Sequence, residues 1–362
     1  MIDSKKYVFR CVAVVGVLIV CIVGLNWWQD PAGIFGNKNT YDGVAKASCE
    51  GKSLVVSGNY NERMFTKSVI ECGSNDYDVL VLGSSRVMSI GEEYVNPHMK
   101  LRSLAVSGAV LEDDIAIWHN YLEHMVTPPK IVIIDGAPWL FNSNSGETRW
   151  SPILAEDYRA GLNELGIDEE LEDDSLSRYR SLLSMKYTRE SCKKIIHPAP
   201  PLDIWEKPDK SEDSMIICGD GSRIHDRKTL SGDSDMMAKT YIKGDIYHVE
   251  GYEELDGKKQ EIFTGFVKSI QSKGIKVVIF LPPYHPLVYD YLKQQDKYKN
   301  VFTAEQWFKD FAITNNVTLI GSYNPADMHL TGKDFFDGMH MQRESQGGYL
   351  RHTLAERHFW DQ

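Results

Sequence analysis

The chain has 362 residues and a formal net charge of −11, because 51 Asp and Glu residues outnumber 40 Lys and Arg residues. The sequence pI of about 5.5 and the mean hydropathy of −0.34 exclude a polytopic membrane protein and a disordered or collagen-like chain. Phosphate binding needs a basic face, so the acidic balance predicts no nucleic-acid partner.

The first predicted element is a membrane anchor. Residues 11–25 read CVAVVGVLIVCIVGL, and Trp27 and Trp28 follow. A helix from Cys11 to Trp28 would be about 27 Å long, close to the hydrocarbon thickness of a bilayer. Basic residues precede the apolar run and acidic sequence follows it, so the positive-inside rule places the N-terminus in the cytoplasm.

The alternative to an anchor is a signal peptide that is removed. Cleavage needs small residues three and one positions before the cut, and the segment GLNWWQDP offers no good site. The sequence therefore favours an uncleaved, single-pass protein of the cytoplasmic (inner) membrane. We expect residues 1–28 to form the cytoplasmic tip and anchor, with the remainder periplasmic or extracellular.

Four cysteines lie outside the anchor, at Cys49, Cys72, Cys192 and Cys218. An exported chain could pair them, and sequence proximity favours Cys49 with Cys72 and Cys192 with Cys218. Four unpaired thiols are the alternative. The spacings match no zinc motif, and we expect neither a metal nor a cofactor.

Residues 29–76 are rich in turn residues and read as a connector with one helix, near residues 61–70. Beyond it, short Val- and Leu-rich runs alternate with amphipathic segments, which predicts a parallel sheet covered by helices. The pattern predicts strands at residues 77–82, 101–106, 130–135, 276–281 and 317–320. Helices are predicted at about 110–125, 255–272, 286–295, 303–314 and 344–357.

The strand–helix alternation is interrupted between residues 136 and 251, which we interpret as an insertion over the sheet. An acidic run from Asp168 to Asp174 lies within it. A solvated helix face explains that run best, because no calcium-loop motif accompanies it.

Small polar residues and carboxylates follow the predicted strands. Ser84 and Ser85 come after the first, Gly108 after the second, and Asp135 ends the third. The carboxyl ends of parallel strands share one edge of a sheet, where ligand sites gather. Near the C-terminus, Asp337 precedes His340 by three residues. A serine on a tight turn with a distant carboxylate and histidine can form a nucleophilic triad.

These blocks resemble the SGNH (GDSL-like) hydrolases. The resemblance rests on DVLVLGSSRV (78–87), SLAVSGA (103–109) and DFFDGMHM (334–341), in that order. DPAGIF after the anchor and IIDGAPWLFN after the third strand look like features of the membrane-anchored, exported branch. That branch includes proteins of alginate O-acetylation and of teichoic-acid D-alanyl transfer. The resemblance implies a three-layer α/β/α domain over residues 77–362, with a mainly parallel, flavodoxin-like sheet.

The resemblance also implies roles for individual residues. Ser85 matches the nucleophile, His340 the base and Asp337 the residue that orients the base. The backbone N–H groups of Ser85 and Gly108 match the oxyanion hole. One feature departs from the family: an Asn side chain normally completes the oxyanion hole, and this chain has Pro138 there.

Losing one such donor typically costs about 10²–10³ in rate. The departure therefore indicates a substitute donor, a weak enzyme or a lost activity. Asn142 and the Trp139 Nε1 group are the expected substitutes.

Further residues are expected near a substrate. Arg86, beside the nucleophile, suits an anionic ligand or a structural ion pair, and His285 follows a strand and can line the pocket. Trp139 and Trp150 suit sugar stacking or the core. Arg149 is equally open. Asp327 and His329 are a rival pair that reads better as a surface loop, and His119 and His124 lack the spacing of a zinc site.

The leading hypothesis is an anchored, extracytoplasmic O-acyltransferase or esterase that acts on a cell-envelope glycopolymer or exopolysaccharide. The resemblance implies a membrane-bound partner that exports the acyl group. A second hypothesis is an inactive scaffold that binds polysaccharide or a synthase, which the missing Asn favours. A third is a glycosidase that uses carboxylates such as Asp135 and Asp337.

Overall fold

A computed structural model describes residues 4–31, 35, 41–168, 177–196, 201–205 and 213–361. The described residues contain nine strands: β1 Leu54–Val56, β2 Val79–Leu82, β3 Leu101–Ser103, β4 Ile131–Asp135, β5 Leu202–Ile204, β6 Met215–Ile217, β7 Arg223–Ile224, β8 Lys276–Leu281 and β9 Thr318–Gly321.

The α-helices of the described residues are α1 Ser4–Gln29, α2 Asp42–Cys49, α3 Glu62–Cys72, α4 Leu111–His124, α5 Ser151–Glu164, α6 Ser177–Arg180, α7 Met185–Ile196, α8 Arg227–Leu230, α9 Ser234–Tyr241, α10 Gly257–Ser272, α11 Pro286–Lys293, α12 Lys299–Thr314 and α13 Arg343–Glu356. Short 3₁₀ turns connect several of them, including one over Pro138–Phe141 that begins the insertion.

Five strands form a parallel sheet in the order β3-β2-β4-β8-β9. Counted along the chain within this sheet, the order is 2-1-3-4-5, the arrangement of flavodoxin-like folds. The three central strands, β2, β4 and β8, are almost wholly apolar and buried because both faces of the sheet are covered. Side chains alternate between two cores: Leu80 belongs to the core that includes α4, α10 and α12, and Val81 to the core that includes α13. The expectation of a mixed α/β chain with a parallel sheet is confirmed.

Most predicted elements are present with shifted ends. The strand at residues 276–281 has the predicted bounds, whereas α12 begins four residues before the predicted start at 303. The strand predicted over residues 101–106 ends at Ser103. Its backbone nevertheless continues along β2, since Leu104 N–H donates to Val81 O at 2.9 Å and Val106 N–H to Gly83 O at 2.9 Å.

A second sheet joins the predicted connector to the predicted insertion. Its order is β5-β1-β6-β7, and every pairing is antiparallel. β1 comes from the connector and lies between two strands of the insertion. A small core of α2, α3 and Leu54 packs with this sheet. The sequence pattern missed it because strands of two or three residues are too short to show a period.

The insertion also contributes helices to the main core. Leu154, Tyr158 and Leu162 of α5 are buried in the core that includes α4, so this helix packs on α4 rather than standing apart from the domain. Asp168 is exposed. The rest of the predicted acidic helix face, residues 169–174, lies outside the described residues.

α1 is the one described helix that is long and apolar enough to cross a membrane. The span runs from Lys6 to Gln29, and none of its most apolar window is buried in the protein. This confirms the expected apolar helix at the N-terminus. Its end, in contrast, is packed against the insertion, because Asn26 is fully buried beside α7.

All six cysteines are free thiols in the structure. The Cys49 and Cys72 sulfurs, at the ends of α2 and α3, lie 3.1 Å apart. Burial and the neighbouring Cys49 raise the pKa of Cys72 to about 12. The structure therefore brings one of the two predicted pairs into contact.

We predict that Cys49 and Cys72 form a disulfide in an oxidising compartment. The two residues are 23 positions apart, and closing a loop of that size should stabilise the fold by about 3 kcal/mol. Peptide mapping without reductant should recover the cross-linked pair. Cys49→Ser should lower the free energy of unfolding only when reductant is absent. Cys192→Ser, at an exposed position of α7, is the matched control, and an equal loss in both variants would contradict the prediction.

Candidate active site

The turn at Ser84 and Ser85 is formed by crowding at the carboxyl end of β2. Gly83 has a φ of +130°, and a Cβ atom there would lie 2.2 Å from the Asp135 Cβ atom on β4. Only glycine fits this close approach. Asp135 Oδ2 then accepts hydrogen bonds from Ser84 Oγ at 2.5 Å and from Ser84 N–H at 3.1 Å. The turn is thereby held, and the next residue, Ser85, is partly exposed.

Ser85, His340 and Asp337 form a complete hydrogen-bonded triad. Ser85 Oγ lies 2.9 Å from His340 Nε2, and His340 Nδ1 lies 2.8 Å from Asp337 Oδ2. These distances are within the reach that proton transfer requires. A carboxylate at Nδ1 favours the tautomer whose Nε2 can accept the serine proton. The chain brings together three residues separated by up to 255 positions.

Asp337 is held as an ionised acceptor. Burial alone would raise the pKa of Asp337. The charge of His340 lowers it, and so do the hydrogen bonds that Asp337 accepts from the His340 ring and from the Met339 and His340 N–H groups. The pKa therefore lies below its usual value. Met339 N–H and His340 N–H both donate to Asp337 Oδ1 at 2.8 Å. The same carboxylate therefore shapes the loop and orients the imidazole.

One aromatic side chain stacks on His340. The Phe336 ring stacks on the imidazole with centroids 5.4 Å apart and 3° between the planes. Phe336 also contacts His225, with ring centroids 4.7 Å apart. Burial and the charge of His340 lower the pKa of His225 to about 4, so His225 is neutral at neutral pH. It adds no positive charge near His340.

Two backbone N–H groups are available at or beside Ser85. In the part of the chain that the structure describes, neither Ser85 N–H nor Gly108 N–H donates to a protein acceptor. The bond from Val106 N–H to Gly83 O aligns the two loops side by side. Gly108 has a φ of +60°, which favours glycine. Unpartnered N–H groups beside a nucleophilic serine can bind an oxyanion.

α3 holds the Gly108 loop through two consecutive residues. Glu62 accepts hydrogen bonds from Ser107 N–H at 2.6 Å and Ser107 Oγ at 2.8 Å. Arg63 forms a buried bidentate ion pair with Asp113, with both bonds 2.7 Å long. Burial alone would raise the pKa of Glu62, but the charge of Arg223 and the bonds from Ser107 lower it. No motif in the sequence marks Glu62 or Arg63, and only the packing of α3 reveals their position.

The two expected substitutes for the missing Asn donor are occupied elsewhere. Trp139 is buried, and its Nε1–H donates to Ala109 O at 2.9 Å. The Asn142 amide is also buried and donates to His248 O at 2.8 Å. Both residues hold loops near the site instead of facing it.

Two insertion residues lie directly against Gly108. A Cβ atom at Gly108 would lie 2.0 Å from the Tyr247 hydroxyl and 2.3 Å from Arg149 Nη2. Arg149 Nη2 donates to the Tyr247 hydroxyl at 2.7 Å, and Glu147 holds the guanidinium through further bonds. The sequence did not decide whether Arg149 binds substrate or is structural. It gave no sign of Tyr247, because nothing near residue 247 indicates contact with a loop at residue 108.

Arg86 and His285 occupy buried structural positions. Arg86 is 2% exposed, donates to Pro282 O and Met339 O, and lies 4.3 Å from the centre of the Tyr284 ring. It therefore ties the His340 loop to the end of β8. His285 is fully buried and caps α11, where its Nδ1 accepts from Leu287 N–H. Neither side chain faces solvent, which differs from the expected substrate contacts.

Two other carboxylates that the sequence offered make contacts elsewhere and are not part of the triad. Asp135 is 1% exposed, and burial raises its pKa despite the charge of Arg86 and the bonds from Ser84. A buried acceptor of this kind does not suit a glycosidase carboxylate. Asp327 accepts from Ser322 Oγ and Asn324 Nδ2 in a loop after β9. Among the described residues, no group of three or more His, Cys, Asp or Glu side chains could hold a metal ion.

No protein-family model matches this chain, and no curated protein matches its sequence.

The Glu147 carboxylate should make stability near the site sensitive to acid. Burial would raise its pKa, but bonds from His248 and Arg149 lower it to about 2. In the unfolded chain a Glu titrates near 4.3. Its contribution is therefore fully present above about pH 4.3 and disappears as the pH falls toward 2.

We predict that the stability difference between the natural chain and Glu147→Gln shrinks by up to about 3 kcal/mol from pH 5 to pH 2. Urea unfolding at stepped pH measures it. Glu156→Gln, at an exposed position of α5, is the control and should show no such change. A pH-independent difference for Glu147→Gln would contradict the prediction.

Proposed function

We propose that the protein is a membrane-anchored, extracytoplasmic acyltransferase or esterase of the SGNH type, acting on a cell-envelope glycopolymer or exopolysaccharide. The observation that carries the proposal is the hydrogen-bonded chain from Ser85 through His340 to Asp337, beside two unpartnered N–H groups. The 2-1-3-4-5 sheet order and the motif order support the family assignment. The three-layer arrangement of that family is part of the same proposal.

The geometry supports a two-step mechanism. Ser85 Oγ attacks the acyl carbonyl while His340 Nε2 takes the hydroxyl proton, and the oxyanion binds the Ser85 and Gly108 N–H groups. The tetrahedral intermediate collapses to an acyl-serine, and His340 returns the proton to the leaving oxygen. A sugar hydroxyl or water, deprotonated by His340, then attacks the acyl-serine and regenerates Ser85.

The membrane topology belongs to the same proposal. α1 spans the inner membrane once, with the N-terminus inside and the α/β domain outside. The burial of Asn26 in the insertion supports retention of α1, because removal of a signal peptide would break three side-chain hydrogen bonds. An anchored acyltransferase suits a membrane-bound partner that exports the acyl group.

The inactive scaffold is a weaker alternative. The missing Asn donor favoured it. A scaffold, however, does not need Ser85 within 2.9 Å of His340, nor His340 within 2.8 Å of Asp337. Nor does it need the Asp135–Ser84 bond that presents Ser85.

Ser85 should react with a serine-directed fluorophosphonate. The full chain in detergent should gain one adduct on Ser85 by mass spectrometry, and Ser85→Ala should gain none. His340→Ala should slow the labelling by about 10²–10⁴, because the general base is lost. Ser272→Ala, at an exposed serine on α10, should label normally.

A folded chain without an adduct at Ser85 would refute the catalytic proposal. In cells, unchanged polymer acylation together with intact complex assembly in Ser85→Ala would support the scaffold instead. Circular dichroism and the unfolding midpoint of each variant show whether the fold is intact.

The third oxyanion donor is proposed to be the Tyr247 hydroxyl. It accepts a bond from Arg149, so its own hydrogen is free to point toward the space beside Gly108. This position is adjacent to the N–H group that binds the oxyanion. A hydrogen bond that forms only in the transition state raises kcat more than it strengthens substrate binding.

Tyr247→Phe should therefore lower kcat by about 10²-fold with little change in KM, as for other oxyanion donors. Hydrolysis of an aryl acetate by the full chain measures both constants. Tyr289→Phe on α11 is the matched control and should keep the natural kcat. A rise in KM alone for Tyr247→Phe would indicate substrate binding instead.

A further inference from the structure

α7 is joined to the end of α1 by a buried amide. Asn26 is fully buried, and its Nδ2 donates to Leu182 O at 2.8 Å and to Thr188 Oγ1 at 2.9 Å. Ser191 Oγ donates to Asn26 Oδ1 at 2.8 Å. All polar atoms of the side chain are thus satisfied by the insertion. A buried amide with three bonds fixes the register of the two helices, because an unpaired one would be costly.

The contact lies at the end of the apolar span. Asn26 follows the run of residues 11–25, and Trp27 and Trp28 come next. Lys194 Nζ donates to Gln29 O at 2.7 Å, at the last residue of α1. Tyr187 OH donates to Asp30 Oδ1 at 2.6 Å. If α1 crosses the bilayer, these bonds hold α7 at the level of the membrane–water interface.

The two sides of α7 differ in character. Tyr187 and Ser191 face the protein and are buried. Large apolar side chains on or beside the helix are exposed to solvent instead: Leu183 61%, Met185 78%, Ile195 51% and Ile196 69%. We call these four residues the α7 apolar patch. Exposed side chains of this size, grouped near one helix, are unusual on a soluble surface and typical of an interaction site.

The patch lies next to the exposed apolar surface of α1, since α7 and the turn Ser181–Leu183 both pack against that helix. Trp27 and Trp28 are 51% and 76% exposed, and Trp27 stacks on Tyr179 in α6 with centroids 6.3 Å apart. Tryptophan favours the interface between hydrocarbon and headgroups. Lys193 and Lys194 are exposed, but Lys193 pairs with Glu190 and Lys194 donates to the end of α1, so apolar side chains rather than free positive charges mark this surface. Continuity with α1 therefore identifies lipid as the occupant.

We infer that α7 and the turn before it lie on the outer surface of the membrane, with the α7 apolar patch buried among lipid headgroups and upper acyl chains. The inference rests on the membrane anchor of the proposed function and is independent of its chemistry. Together with α1, this second contact holds the insertion, and through it the α/β domain, at the bilayer in a set orientation.

A photoreactive probe tests the contact without removing native cysteines. A diazirine-bearing amino acid is placed by amber suppression at Ile196, at Val15 within α1, or at Ile313 on α12, which is 82% exposed. The purified full chain is reconstituted in polymer-bounded nanodiscs, which contain no scaffold protein, made of phosphatidylethanolamine and phosphatidylglycerol. After irradiation, lipid adducts at each position are measured by mass spectrometry.

Position 196 should give a lipid adduct yield near that of position 15 and several-fold above that of position 313. Equal, low yields at 196 and 313, with a high yield at 15, would overturn the inference while leaving the anchor intact. Low yields at all three positions would instead refute the anchor, and this inference with it. With the probe placed at Met185 instead, replacement of Ile195 and Ile196 by glutamate should lower lipid adduct formation at that position, whereas the same replacement should leave adduct formation at position 15 unchanged.

Discussion

The site depends on the close approach of two strand ends. β2 leaves the sheet at Gly83 so near to Asp135 on β4 that no side chain fits between them. The buried carboxylate then binds Ser84 and leaves Ser85 as the first residue free to project. A parallel sheet makes this possible because neighbouring strands end at the same edge. Without that crowding, the serine would have no defined direction relative to His340.

Segments outside the sheet complete the arrangement. α3 holds the Gly108 loop through Glu62, and the insertion adds Arg223 behind Glu62 and Tyr247 in front of Gly108. β1 pairs with strands on both sides that belong to the insertion. The region before the sheet and the insertion therefore act as one support for the Gly108 loop. The α7 contact with α1 connects that same support to the apolar N-terminal helix.

Expectations about single side chains agreed with the structure for a pair of residues close in sequence, and disagreed for four side chains whose direction depends on distant elements. Asp337 and His340 are three residues apart, so their pairing is set by one short loop that the motif describes. Arg86, Trp139, Asn142 and His285 also lie near strand ends, yet the structure buries all four. A residue type and a position next to a strand do not show which way a side chain points. That direction depends on how densely the neighbouring elements pack.

The sequence by itself determined the apolar helix, the buried parallel strands and the order of the three motif blocks, because hydrophobic period and turn residues are local signals. Only the tertiary structure decided that Ser85 meets His340 across 255 positions, that Tyr247 lies over Gly108 and that Asn26 is buried against α7. These contacts join segments with no common pattern. They arise from packing and hydrogen-bond satisfaction between distant elements, which no local period encodes.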